Sequence, residues 1–323
     1  MNLARMDNWR DVAVKAMAGP SVLQAHMWDY YWSILATDSD NLPVDETLVV
    51  MRPDDQPVAI LPLASYNGKL DYLGQPATAM FASEIEPEIR EEAQGVIRQR
   101  LAELALETGS QVRWVDTAPV ATPQAMPGWQ EKLLMADAQI SMRYHGQVRL
   151  VPGEEEYKKS LRKRYKSYVN WGRREMETAF HCGDDIDADL FDAFRLFHAR
   201  IAGRVTRPRQ SWDEMYKLAV ENRGFLCTGF LGGEMVAATY VFHDTSSALY
   251  GTGVYERDLF EKPISHWPMY ASIVKCMEMG LEHFDLGEVF LPADASEKEK
   301  SIGFFKKGFS QYTTSSCVWT LGQ

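Results

Sequence analysis

Basic residues are concentrated in two short segments of a chain that is acidic overall. Residues 158–174 carry eight Lys and Arg and no acid, and residues 195–209 carry five Arg and no acid. The 323-residue chain has a formal net charge of −11, so the rest of it is strongly acidic. Arg binds phosphate through a bidentate fork, and Lys binds it as a point charge. The segregation predicts a local phosphate-binding surface, with a solvated helix face as the alternative.

Both segments contain residues that could contact a phosphate-bearing molecule directly. The second segment ends in three arginines: Arg204, Arg207 and Arg209. Together they could clamp a diphosphate or a carboxylate, although plain solvent exposure is the alternative for each. Aromatic residues interleave with the first segment, at Tyr165, Tyr168 and Trp171. Their rings could stack on bases or pack in the core.

Several classes of protein are excluded or lack support. The acidic balance excludes a generic basic coat for duplex DNA. The four cysteines are widely spaced without a CxxC pair, so neither a zinc site nor a disulfide framework is predicted. Serine-triad order, the P-loop sequence and HExxH are also missing from the sequence. No apolar stretch of about 18 residues occurs, and we expect a cytoplasmic protein.

The length and the hydrophobic pattern predict two α/β lobes, residues 1–150 and 151–323. In the first lobe the elements are a hairpin of residues 47–52 and 58–63, a helix over 84–108 ended by Gly109, and a strand over 111–115. In the second lobe helices are predicted over 154–180, 187–203 and 268–280, with a partial helix over 296–307. Asp187 would cap the second of these, and a further helix would begin at a capping box formed by Ser211 and Glu214. The predicted strands there are 225–231, 235–242, 248–255, 283–287 and 312–321, the first two joined at Gly232-Gly233.

Four stretches of the second lobe resemble the FemAB-like aminoacyltransferases, a branch of the GNAT acyltransferase superfamily. They are the basic helix around 161–166, the hairpin strand 234–240, the strand 284–287, and Phe305-Lys306-Lys307-Gly308-Phe309. Residues 23–28 and 60–63 resemble the family's opening lobe more loosely. The resemblance implies two GNAT-like lobes, with mixed, mostly antiparallel sheets flanked by helices.

The resemblance also implies an activity: transfer of an acyl group from an activated ester or thioester to an amine. FemAB-type members use aminoacyl-tRNA to extend the peptide of a cell-wall precursor, and relatives acylate sugars or other small amines. We therefore expect modification of a cell-wall peptide or another envelope precursor. Its partners would be a phosphate-bearing donor or acceptor, such as aminoacyl-tRNA or a nucleotide-linked or lipid-linked precursor, with transient contact at the inner membrane face.

Site residues follow from the same resemblance. Lys306 matches the lysine of the family's Phe-Lys motif, which implies that it meets the charge developing on the attacked carbonyl. Asp285 would orient or deprotonate the amine, and Tyr250 would face the acceptor. Arg164 and Lys307 are further substrate-binding candidates. The alternative for Lys306 is a plain surface lysine, and that for Asp285 is a strand-end hydrogen bond. The alternative for Tyr250 is a buried strand tyrosine. Gly251 and Gly253 would let a ligand approach the strand backbone.

The stretch 256–267 distinguishes between acyl donors. Coenzyme A-dependent GNAT enzymes place a glycine-rich pyrophosphate loop there, but this stretch contains no glycine. We therefore expect aminoacyl-tRNA as the donor, with no metal and no tightly bound cofactor. The first alternative is an acyl-CoA-dependent N-acyltransferase acting on a sugar or an amino acid. The second is a noncatalytic protein that binds RNA or a membrane surface through its basic helices.

Overall fold

The computed structural model describes residues 1–37, 42–119, 125–151, 153–293 and 295–322. They divide into two compact units, the first Met1–Arg143 with Ser315–Gln323 and the second Tyr144–Thr314. The predicted division at residue 150 therefore shifts to residue 143, and the last segment belongs with the first unit. The helices and strands up to the boundary are β1 (Asn2–Ala4), α1 (Trp9–Ala16), β2 (Met17–Ala18), α2 (Leu23–Leu35), β3 (Val44–Asp45), β4 (Leu48–Met51), β5 (Pro57–Leu61), β6 (Ala64–Tyr66), β7 (Lys69–Asp71), β8 (Met80–Ala82), α3 (Pro87–Thr108), β9 (Gln111–Asp116), α4 (Gly128–Met135) and β10 (Gln139–Arg149), which crosses it.

The remaining elements build the second unit. They are α5 (Glu154–Ser160), α6 (Lys163–Glu175), β11 (Glu177–His181), α7 (Ala188–Ala202), α8 (Arg209–Val220), β12 (Gly224–Leu231), β13 (Glu234–His243), β14 (Ser247–Tyr255), α9 (His266–Glu278), β15 (His283–Phe290), α10 (Glu297–Phe309) and β16 (Tyr312–Leu321). No helix among the described residues has both the length and the apolar character needed to span a bilayer.

The first unit contains two groups of strands around one core. Strands β1, β4, β5, β8 and β2 form an antiparallel sheet in that order. The second group runs β3, β6, β7, β9, and β9 pairs with residues 317–321 of β16. This pairing places the end of the chain in the first unit. Buried tryptophans dominate the core between strands and helices: Trp9, Trp28, Trp114 and Trp319.

The second unit is a six-stranded sheet in the order β11, β12, β13, β14, β15, β10. Every neighbouring pair is antiparallel except β14 and β15, which run parallel. Helices α6, α9 and α10 pack on this sheet and contribute Tyr165, Ile273 and Phe309 to its core. The fold thus sets one parallel strand pair in the middle of an otherwise antiparallel sheet.

Local signals predict several of these elements correctly. Asp187 caps α7 through its carboxylate, which accepts the backbone N–H groups of Asp189 and Leu190, and Gly203 ends that helix. The hairpin of β12 and β13 turns at Gly232-Gly233, where both residues have positive φ, as a tight two-residue turn requires. Helix α3 ends at Gly109 in the left-handed conformation, as predicted.

Two local predictions in the second unit are wrong. The single helix predicted over 154–180 is two helices followed by a strand. The break occurs because Leu161 and Arg162 adopt extended backbone and the Leu161 side chain is buried. Ser211 does not open α8; it lies inside the helix, and its hydroxyl donates to the carbonyl of Pro208. The helix begins two residues earlier, immediately after Pro208.

Candidate active site

Strands β14 and β15 separate shortly after they meet. They pair in parallel only from Ser247 opposite His283 to Leu249 opposite Asp285, although β14 continues to Tyr255 and β15 to Phe290. The register between β13 and β14 slips at Gly251, which is an extra residue in β14. A bulge of this kind bends its strand and increases the local twist. We call the space between residues 250–255 and 286–290 the strand gap.

Lys306 extends from α10 toward the strand gap. Its Nζ lies 5.6 Å from the ring centroid of Tyr250. It also lies 2.8 Å from the point that a Cβ at Gly287 would occupy. Gly287 has a φ of +79°, a left-handed conformation that favours glycine, and a Cβ at this position would displace the ammonium.

Burial and nearby carboxylates act on the charge of Lys306 in opposite directions. Burial lowers the pKa of Lys306 below its ordinary value, whereas the carboxylates of Asp285 and Glu288 act in the opposite direction. An ammonium in a partly desolvated site stabilises developing negative charge more strongly than one in water. A charged Lys306 could therefore stabilise negative charge that develops in the strand gap.

Tyr250 contributes a neutral phenol to the same region. Burial raises the pKa of Tyr250 well above its ordinary value, and the nearby Tyr255 raises it further. The Tyr250 and Tyr255 hydroxyls meet over Gly253, and the Tyr255 hydroxyl lies 3.1 Å from Thr239 Oγ1. These two hydroxyls take the space that a side chain at Gly253 would fill.

The space beside the two β14 glycines is occupied by neighbouring side chains. At Gly253 the hydroxyls of Tyr250 and Tyr255 approach the backbone. At Gly251 the ring of Phe242 lies 2.5 Å from the point that a Cβ would occupy. Both glycines make room for this unit's own aromatic side chains.

Asp285 joins the strand gap to β10. One of its carboxylate oxygens, Oδ1, accepts the backbone N–H of Gly287 at 2.6 Å, and Oδ2 lies 3.0 Å from Nδ1 of His145. His145 has no signal in the sequence, since it is 140 positions from Asp285 and the register between β10 and β15 is irregular on both sides of it. Only the pairing of these two strands brings the imidazole to the carboxylate.

Arg207 lies beside β14 and borders a cavity. Its Nη2 donates to Thr252 Oγ1 at 3.4 Å, and its guanidinium lies 4.8 Å from the centroid of the Trp212 ring. The cavity, of about 220 Å³, is also lined by Arg195, Arg209 and His198. Burial, followed by the charge of Arg207, lowers the pKa of His198 to about 4, so this histidine is neutral at pH 7. The lining therefore contains three guanidinium groups and a neutral histidine, and Asp192 pairs with two of the three, those of Arg195 and Arg209.

The other predicted arginines differ in surroundings. Arg209 is exposed and already paired with Asp192 at 3.1 Å and with Asp213 at 2.9 Å. Arg204 is exposed in the turn after α7 and is not part of the cavity lining. Arg207 is thus the arginine of this loop that joins the cavity to β14.

The two remaining candidates lie on α6 and α10. Arg164 is exposed, donates to the Tyr168 hydroxyl and lies over that ring. Lys307 points its ammonium at the ring of Phe290, 3.8 Å from the centroid. The contacts of Lys307 differ from those of Lys306, which lies next to Tyr250 and Gly287. Among the predicted site residues, the structure places Lys306 near Tyr250 and within the electrostatic influence of Asp285.

Aromatic packing covers the start of α9. The ring of His266 lies 4.8 Å from that of Tyr165 and 4.7 Å from that of Tyr168. Burial lowers the pKa of His266 to about 4. Tyr165 is itself buried, and its hydroxyl donates to the carbonyl of Phe305. Tyr165 and His266 therefore pack in the core, rather than stacking on a base or presenting a charged imidazole.

The second unit contains a region that matches a known domain family. The acetyltransferase (GNAT) domain family matches residues 159–299. The crystal structure of FemX is similar to this chain with a TM-score of 0.69 and 12% sequence identity. The alignment covers 100% of this chain and 98% of the FemX chain. The C-terminal domain of a putative lysylphosphatidylglycerol synthetase from Agrobacterium fabrum is similar with a TM-score of 0.61 and 12% sequence identity. This alignment covers 96% of the present chain and 89% of that domain. No curated protein matches the chain by sequence.

A tandem GNAT protein from the clavulanic acid biosynthesis pathway also shares the fold. It covers 99% of this chain and 98% of its own at 13% identity, with a TM-score of 0.52. At such low identity these likenesses show the fold alone. They confirm the predicted fold class, two GNAT-like lobes of mixed α/β structure.

Proposed function

Because residues 159–299 match the GNAT acetyltransferase domain family and the chain shares the fold of FemX, we propose that it is a FemAB-like acyltransferase that transfers an acyl or aminoacyl group to an amine in the strand gap. The observation that carries this proposal is the placement of Lys306 beside Tyr250, at the point where β14 and β15 separate. The amine attacks the acyl carbon, and the carbonyl oxygen gains the negative charge that Lys306 stabilises. Holding both reactants in one site supplies much of the rate enhancement.

The acceptor or donor would be anchored by its phosphates. Arg207 reaches β14 from the cavity that Arg195 and Arg209 also line, and a diphosphate is an anion that such a cluster binds well. The opposite ends of the substrate would thus be held by guanidinium groups and by the strand gap. Arg164 and the other exposed cations of α6 would contact a larger phosphate-bearing substrate, and Arg204 would contribute from the turn after α7.

Aminoacyl-tRNA is the donor that we favour. A pyrophosphate loop of the coenzyme A type would lie before α9, and Tyr165 and Tyr168 pack on His266 at the first turn of that helix. This packing and the lack of glycine over 256–267 both support a donor other than acyl-CoA. No tightly bound cofactor or metal enters the proposed reaction.

A cell-envelope component is the acceptor that we propose. FemAB-type enzymes extend a cell-wall peptide, and one structural neighbour is the C-terminal domain of a putative lysylphosphatidylglycerol synthetase. Both names connect an amino acid with a component of the cell envelope. The reaction would take place in the cytoplasm, with transient contact at the inner face of the membrane.

The test supplies purified protein with tRNA charged with radiolabelled amino acids, or with labelled acyl-CoA, and with amine-bearing nucleotide-linked and lipid-linked precursors. Labelled product from aminoacyl-tRNA is the expected result. Lys306→Met should lower kcat by about 10²–10³, the loss typical of one removed oxyanion contact. Lys300→Met is the matched control, because Lys300 lies exposed on the same helix and pairs only with Glu297 among the described contacts. Equal activity in both variants would exclude the role assigned to Lys306.

Two other outcomes would change the proposal. Product from acyl-CoA alone would favour the alternative, an N-acyltransferase acting on a sugar or an amino acid. Failure to acylate any amine, together with salt-sensitive binding to tRNA or to anionic vesicles, would favour a noncatalytic binding protein. The exposed cations of α6 are the feature that supports this second alternative.

A further inference from the structure

We infer that His145 accepts the proton that the acceptor amine must lose, with Asp285 as its positioning residue. This inference rests on the proposed acyl transfer and names the base that the reaction requires. The role predicted for Asp285 alone, to orient or deprotonate the amine, is thereby divided between two side chains.

The hydrogen bond between the two residues fixes the tautomer of the imidazole. Asp285 Oδ2 lies 3.0 Å from Nδ1 of His145, and an ionised carboxylate can only accept. The proton of a neutral His145 therefore resides on Nδ1, and Nε2 carries a free lone pair. A carboxylate that orients an imidazole in this way also stabilises the imidazolium formed when Nε2 takes a proton.

The backbone holds the carboxylate in place. Oδ1 of Asp285 accepts the N–H of Gly287 at 2.6 Å, so both carboxylate oxygens have assigned partners. The His145 and Asp285 side chains remain 30% and 29% exposed, which leaves the imidazole accessible to a substrate.

The same carboxylate connects His145 with Lys306. Asp285 is paired with Leu249 of β14 on one side and with Gln147 of β10 on the other. Its charge reaches the Lys306 ammonium, whose pKa it raises against the larger effect of burial. An imidazole that accepts protons and an ammonium that stabilises an oxyanion thus lie at one carboxylate.

The proton and electron movements balance. The amine lone pair forms the bond to the acyl carbon as the carbonyl π pair moves to oxygen beside Lys306. The nitrogen of this tetrahedral intermediate then loses one proton to Nε2 of His145. Collapse of the intermediate breaks the bond to the leaving oxygen or sulfur, and the imidazolium returns its proton to that group.

Charged groups on each neighbouring element influence this proton. Asp285 and Glu288 face His145 from β15, Glu288 as its cross-strand partner. Helix α10 contributes Lys306 and Lys307. Lys307 lies over Phe290, whose cross-strand partner, Tyr144, precedes His145 in the chain. Variants are therefore compared at constant ionic strength over the whole pH range.

His145→Asn is the diagnostic variant, because its amide NH₂ can replace Nδ1–H toward Asp285 but offers no basic nitrogen. We expect kcat to fall about 100-fold and the acidic limb of the pH profile of kcat/KM to disappear. His283→Asn is the matched control, since His283 is a partly exposed histidine at the start of the strand that carries Asp285. In the wild type, ¹⁵N NMR should show His145 as the Nδ1–H tautomer.

The outcomes separate this inference from the proposed function. Wild-type transfer with an unchanged rate and pH profile in His145→Asn would overturn the inference and leave the proposed function intact. An Nε2–H tautomer in the wild type would do the same. A wild type that acylates no amine would overturn the proposed function, and the inference with it.

Discussion

Replacing Gly287 by alanine tests whether the position of Lys306 matters. The added Cβ would lie 2.8 Å from Nζ, whereas ordinary contact begins at 3.4 Å, so the ammonium must move by about 0.6 Å or more. Displacements near 1 Å in a catalytic group can cost about 100-fold in rate. We therefore expect Gly287→Ala to lower kcat by roughly 10-fold to 100-fold in the aminoacyl-transfer assay.

The control separates this displacement from backbone strain. Gly280 has a φ of +76°, close to that of Gly287, but a Cβ there would meet no atom within 4 Å. Both alanine variants carry the left-handed penalty of about 1–2 kcal/mol and should lose similar thermal stability. Only Gly287→Ala should lose activity. If the two variants keep the same kcat, the placement of Lys306 beside Gly287 has no part in the reaction.

Two further predictions concern stability. His266 has a pKa lowered to about 4 from 6.5, so the unfolded chain binds the extra proton and stability falls as pH drops from about 6.5 to 4. His266→Phe should flatten that part of the curve of unfolding midpoint against pH, and an unchanged slope would contradict this assignment. A Cβ at Gly172 in α6 would collide with the side chain of Trp267 in α9, so Gly172→Ala should cost about 1–3 kcal/mol. Gly95→Ala in α3, where a Cβ meets nothing within 4 Å, is the matched control; equal denaturation midpoints would refute the close packing of α6 and α9.

Some features could be predicted from sequence because they depend on a few neighbouring residues. The Asp187 cap, the Gly203 and Gly109 helix ends and the Gly232-Gly233 turn each satisfy backbone requirements within a few positions. The family resemblance likewise identified Lys306 through a contiguous motif. By contrast, Ser211 and Glu214 have capping-box spacing but lie inside α8, which begins after Pro208 instead.

Strand β11 shows where local pattern fails. Residues 177–181 follow a basic helix without a turn signal, and they form a strand because they complete the edge of β12. The helix before them is interrupted at Leu161 because burying that side chain in the core outweighs continued helix formation. Both outcomes depend on partners distant in sequence.

The basic segments, the helix caps, the hairpin and the motif that contains Lys306 could all be recognised from the order of the residues alone. Tertiary structure decided which of those residues meet. The separation of β14 from β15 places Tyr250 near Lys306, and the irregular pairing of β10 with β15 brings His145 to Asp285. Strand pairing sets these contacts by register, and a shift of one residue would turn each side chain to the opposite face of the sheet.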